Sequence, residues 1–112
     1  MSDTGQIRIA LAQINPTVGD LSKNADLISK YAFDAANAGA VVVVYPEMIL
    51  TGYPVEDLEN RPSFRAASIA AVSELALRIN NEGNGDLTLL VGYLGQSESG
   101  RPQNCVAVIY RG

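Results

Sequence analysis

Residues 40–54 read Ala-Val-Val-Val-Val-Tyr-Pro-Glu-Met-Ile-Leu-Thr-Gly-Tyr-Pro, and this stretch decides the fold class. Residues 40–45 are apolar at both alternations and rich in β-branched valine. A strand with two apolar faces is covered on both sides, which points to a largely parallel sheet and not to an exposed hairpin. Pro46 ends the run and delivers Glu47 to the C-terminal end of the strand. Open α/β sheets gather their ligands at that end. Gly52 permits a sharp turn, so a pocket can form around Glu47. Met48, Ile49 and Leu50 are expected to enclose its carboxylate in apolar surface, a setting that suits a general base working near neutral pH. The bland alternative for Glu47 is a solvent-exposed or helix-capping glutamate.

Outward from this stretch the pattern alternates between strand and helix. Residues 7–14 read as a strand, followed by a loop over 15–20 in which Asp20 or Ser22 can cap a helix. Leu21, Ala25, Ile28, Ala32 and Ala35 recur at spacings of three and four, a helical stripe that should stop at Gly39. On the other side, residues 47–60 are rich in turn formers, and Pro62 suits the first turn of a second helix. Phe64, Val72, Leu75 and Ile79 supply its inner face, and residues 80–85 end it. Residues 87–94 form a third strand, and a polar connection over 96–102 reverses the chain into a fourth strand at 104–110. The order is β-α-β-α-β-β, an α/β class, with right-handed crossovers joining the first three strands. If both helices lie on one face, the other face of the sheet is uncovered and the fold is incomplete. One helix on each face, as in a small doubly wound domain, is the alternative.

Composition narrows the chemistry. The chain has 112 residues, one domain at most, with 12 acidic against 8 basic residues and a net charge of −4. Its positive residues are scattered from Arg8 to Arg111, which disfavours nucleic acid and anionic membranes as partners. Residues 1–6 are polar and lack the cationic, apolar and small-residue series of a signal peptide, so a cytoplasmic location is expected. With no histidine and one cysteine, Cys105, these residues hold neither a disulfide nor a Ser-His-Asp or Cys-His machine. Cys105 reads as a small buried hydrophobe, not a nucleophile, and Lys23 and Lys30 as solvated surface lysines. Glu56, Asp57 and Glu59 read as a solvated loop before a helix N-terminus, where negative charge is favoured, and no metal site is expected. Gly92, Gly95 and Gly100 are too widely separated for a nucleotide-binding loop.

Two motifs carry a family resemblance. Residues 9–13 with Asn15-Pro16-Thr17-Val18-Gly19-Asp20 resemble the opening of nitrilase-superfamily (carbon–nitrogen hydrolase) amidohydrolases, and Pro46-Glu47 resembles their catalytic glutamate motif. Within that superfamily, Leu50-Thr51-Gly52-Tyr53-Pro54 followed by Glu56-Asp57-Leu58 is similar to the glutaminase domains of glutamine-dependent NAD synthetases. So are Arg61-Pro62-Ser63-Phe64, Gly100-Arg101 and Asn104. Glu59-Asn60 departs from that pattern, which favours apolar residues there. The resemblance implies that residues 1–112 are the first part of a four-layer α-β-β-α sandwich, a partial glutaminase domain. It implies a Glu-Lys-Cys triad in which Glu47 is the general base, with Tyr53 near the glutamine pocket and the lysine and cysteine beyond Gly112. It further implies ammonia supply from L-glutamine to the ATP-dependent amidation of deamido-NAD to NAD. ATP and magnesium would belong to a separate synthetase domain, and no cofactor to these residues. A homo-oligomer is expected, as is a 112-residue chain that alone hydrolyses no glutamine. Two alternatives stand beside it: a stand-alone nitrilase-family amidase or carbamoylase, and a non-catalytic assembly module that pairs through the uncovered sheet face.

Overall fold

The computed structural model describes residues 5–112, so four residues of the polar N-terminal segment lie outside the described part. The chain runs β1 (Ile9–Leu11), α1 (Leu21–Asn37), β2 (Val42–Val44), a 3-10 helix (Glu56–Asn60), α2 (Pro62–Ile79), a π turn (Asn80–Asn84), β3 (Thr88–Gln96) and β4 (Pro102–Ile109). The expected β-α-β-α-β-β order is therefore present. The strands form one sheet in the order β1-β2-β3-β4, parallel across the first three and antiparallel in the final hairpin.

Local chemistry explains the boundaries. The Asp20 carboxylate caps α1 by accepting from the Lys23 backbone N–H. Gly39, at φ +85°, takes the left-handed conformation that reverses the chain into β2. Pro62 opens α2, where its missing N–H costs no helical hydrogen bond. β1 is shorter than the eight residues expected, because β2, its one neighbour among the described residues, itself spans only Val42–Val44. Single ladder bonds extend it a little, from Val41 N to Arg8 O and from Ala12 N to Val44 O.

Both helices cover the same face. Ile28, Ala32 and Ala35 of α1 and Leu75 and Ile79 of α2 pack on Val43, Tyr45, Leu89, Val91 and Ile109. Consecutive crossovers of one hand between adjacent parallel strands give this arrangement. The doubly wound alternative is thereby excluded for the described residues. The opposite face carries Ile9 and Leu11 of β1 and Val106 and Val108 of β4, all exposed. The described residues thus make two layers, helices on a sheet, with an apolar sheet face left open. None of the described helices is long and apolar enough to cross a membrane.

Candidate active site

The loop after β2 is fastened from below. Asn24, fully buried on α1, donates its side-chain amide to Thr17 O at 2.8 Å and Leu50 O at 3.0 Å, and accepts from Thr17 N at 2.7 Å. Its polar atoms are satisfied, as a buried amide requires. The loops 15–19 and 47–52 are thereby tied to one helix and to each other, with Gly19 N donating to Thr51 O at 2.8 Å. Gly52 completes the fit: it sits at φ +80°, and a Cβ there would fall 2.6 Å from Val18 Cα. No other residue satisfies both demands.

From this base the chain is drawn across the open face of β3. Tyr45 N donates to Leu90 O and Leu50 N to Gly92 O, both at 3.1 Å. A Cβ on Gly92 would lie 2.4 Å from Met48 N and 3.1 Å from Glu47 C, so only glycine allows residues 46–48 to lie on the sheet. Met48, Ile49 and Leu50 turn inward and are buried, while Glu47 is exposed on the open side. The expected apolar enclosure of its carboxylate is therefore absent among the described residues. The reason is alternation of direction: the neighbours that were to surround the carboxylate are consumed by the core. Glu47 instead accepts a hydrogen bond from Asn104 Nδ2 of β4.

Asn104 also lines an open cleft of about 390 Å³, together with Tyr53, Glu56, Glu59, Gln103 and the apolar floor Met48, Val55 and Leu94. Of the two site residues expected from sequence, Tyr53 lines this cleft, whereas Glu47 does not and is joined to it only through its hydrogen bond with Asn104. The cleft's two rims are pinned by Arg65, buried on α2. Its guanidinium donates to Glu59 O at 2.7 Å, Gly100 O at 2.9 Å and Gln96 Oε1 at 3.0 Å. Sequence reasoning missed Arg65, Ser68 and Asn24 because it sought apolar stripes. A signal was present, since Arg65 and Ser68 continue the three-four spacing of Val72, Leu75 and Ile79.

The other candidates sit elsewhere. Cys105 is half-buried on the helix-covered face, paired across the hairpin with Tyr93, and a Cβ on Gly95 would collide with its Sγ. Partial burial, then the neighbouring thiol, raises the Tyr93 phenol above its ordinary value. Lys30 is exposed in a pair with Asp34. Among the described residues no group of three or more His, Cys, Asp or Glu converges as a metal cage. The Glu47 carboxylate, bound to Asn104, thus stands next to a cleft lined by Tyr53, Glu56, Glu59, Gln103 and Asn104, and among the described residues no cysteine lines that cleft.

The sequence profile of the carbon–nitrogen hydrolase family matches residues 8–112. The glutamine-dependent NAD(+) synthetase of Thermotoga maritima is 34% identical over 107 residues, 96% of this chain and 18% of that protein. That of Rhodobacter capsulatus is 43% identical over 76 residues, 68% of this chain and 14% of that protein. Among solved structures, a glutamine-dependent NAD(+) synthetase from Cytophaga hutchinsonii superposes with a TM-score of 0.82 at 28% identity, covering 94% of this chain and 17% of the other. An amidase from Nesterenkonia sp. gives 0.61 at 27% identity, covering 91% and 36%. The chain thus spans less than a fifth of the length of the curated synthetases it matches. On the profile match alone, which takes in Glu47 and Asn104, the chain belongs to the carbon–nitrogen hydrolase family.

Proposed function

We infer that this chain supplies the glutamate-bearing part of a glutamine amidohydrolase site whose ammonia feeds the ATP-dependent amidation of deamido-NAD. The observation that carries it is the placement of Glu47. The residue stands at the C-terminal end of a parallel strand, on the open sheet face, joined through Asn104 to a cleft that Tyr53 lines. The synthetase likeness extends along nearly the whole chain, whereas the amidase superposes less closely.

The chemistry follows from what a carboxylate can do there. Glu47 takes the proton of a cysteine thiol, and the thiolate attacks the side-chain carboxamide carbon of glutamine. Glu47 returns that proton to the amide nitrogen as the C–N bond breaks, so nitrogen leaves as ammonia, and a thioester remains. Water then adds to the thioester, with Glu47 again as base, and glutamate departs. A lysine beside the thiol stabilises the oxyanion of both tetrahedral intermediates. Cysteine and lysine both come from outside the described residues, since Cys105 faces the helices and Lys30 is solvated. Tyr53 forms a wall against the substrate's aliphatic chain. ATP and magnesium act in a separate synthetase domain, in a cytoplasmic homo-oligomer, and no cofactor is held by this segment.

In the full-length protein, Glu47→Gln lowers glutamine-driven turnover by at least about 10²-fold, the lower end of general-base contributions, and leaves turnover driven by free ammonia intact. Steady-state rates with each nitrogen donor check this. Equal loss with both donors contradicts the base assignment, and amide hydrolysis without any ATP-dependent product favours the stand-alone amidase.

A further inference from the structure

We propose that Asn104 is a positioning residue for Glu47, holding one carboxylate oxygen so that the other is left to take the proton; this rests on the function inferred above. The geometry begins at Gly92, over which residues 46–48 lie flat on the sheet. Gly92 pairs with Val106, and two residues along β4 on the same face stands Asn104, opposite Leu94. A side chain leaving position 47 across β3 therefore arrives beside β4, where Asn104 Nδ2 donates to Glu47 Oε1.

An exposed glutamate normally wanders among rotamers, and general-base catalysis needs an oxygen fixed within hydrogen-bond reach of its proton. A carboxylate has two oxygens, and an amide N–H on one of them fixes the plane and leaves Oε2 unencumbered. The donor is itself held: Arg65 clamps Gln96 Oε1 at the end of β3 and Gly100 O in the turn of the hairpin that presents Asn104. Asn104 and Glu47 are both exposed, so the contact serves no core, and a purely structural role has little to act on. The bland alternative is a surface hydrogen bond without consequence.

The contact is tested in this chain by the side-chain amide signals of Asn104 in heteronuclear NMR. They shift on Glu47→Gln, and signals that stay in place overturn the proposal. The role is tested in the full-length protein with Asn104→Leu, Asn104→Asp and Asn104→Gln. Because the side chain is exposed, all three melt like the parent. Asn104→Leu and Asn104→Asp lower kcat with glutamine by about 10-fold or more, with KM near its parent value and ammonia-driven turnover unchanged, as loss of an oriented group demands. Asn104→Gln keeps an amide and recovers part of the rate. A raised KM at constant kcat, or equal losses in the Leu and Gln variants, overturns the proposal. Loss in Glu47→Gln without loss in Asn104→Leu overturns it while the inferred function stands. No loss in either overturns both.

Discussion

The two faces of the sheet are built from the same residue types and meet opposite fates. Leu89 and Val91, facing the helices, are 0% exposed, whereas Val106 and Val108, facing the other way, keep 65% and 69% of their surface in solvent. Apolar residues at every alternation ask for two covering layers, and the described residues provide one. The candidate carboxylate sits on the unprovided side. A charged group inside the helix-covered core would need a full set of compensating partners. At the rim of an open face Glu47 stays hydrated, with one oxygen already held. The covered face holds the core and the open face carries Glu47, and Gly92 is the residue over which the Glu47 loop is laid on the sheet.

The sharpest way to break this contrast is a matched pair of truncations. Leu89→Ala should cost about 2–5 kcal/mol, a large share of the ~5–15 kcal/mol that holds a small domain together. Val108→Ala should change stability by no more than about 0.5 kcal/mol, as surface substitutions do. Urea unfolding midpoints of the two variants measure both. Similar losses would mean that the open face is buried in solution against something else.

Gly92→Val probes the seam between the faces and comes second in size. A side chain there must push residues 46–48 off the sheet, an overpacking cost of about 1–3 kcal/mol. The expected result is a lowered unfolding midpoint together with loss of the Glu47 effect on the Asn104 amide signals. A destabilised variant that retains that coupling would show that Glu47 reaches β4 by another route.

Much of this was legible in the sequence. The valine run pointed to the parallel pairing of β1, β2 and β3, and the stripe of Leu21, Ala25, Ile28, Ala32 and Ala35 placed α1 within a residue or two. Pro46-Glu47 follows β2 directly after Tyr45, and Tyr53 lines the cleft beside Asn104. What could not be read was which face each helix takes, because periodicity reports that a side is apolar but not what lies against it. Enclosure of Glu47 was misjudged for a related reason. Being adjacent in sequence to Met48, Ile49 and Leu50 says nothing of direction, and the chain spends those side chains on the core. Gly92 was passed over because it fits no nucleotide-binding spacing, although an isolated glycine within a strand signals close backbone approach. Asn24 and Arg65 were hidden by a search for apolar stripes. Buried polar residues at stripe spacing are where loops are fastened, and both fasten the loops of the cleft.

The smallest expected effect on stability, and the one that bears most directly on the open face, is that of Val106→Lys with Val108→Lys. Both side chains already stand in solvent, so the double variant should unfold within about 0.5 kcal/mol of the parent per site. Its association should differ. Ile9, Leu11, Val106, Val108 and Tyr110 expose apolar surface on one side of a sheet, and such surfaces drive pairing when nothing covers them. Lysines on the edge strand β4 place like charges wherever two such faces meet, the device by which natural sheets avoid pairing with one another. Light scattering across a concentration series should show the parent chain gaining mass while the double variant stays monomeric. A parent that remains monomeric throughout would mean that the open face is tolerated in water, and the difference between the two faces would then be one of chemistry alone.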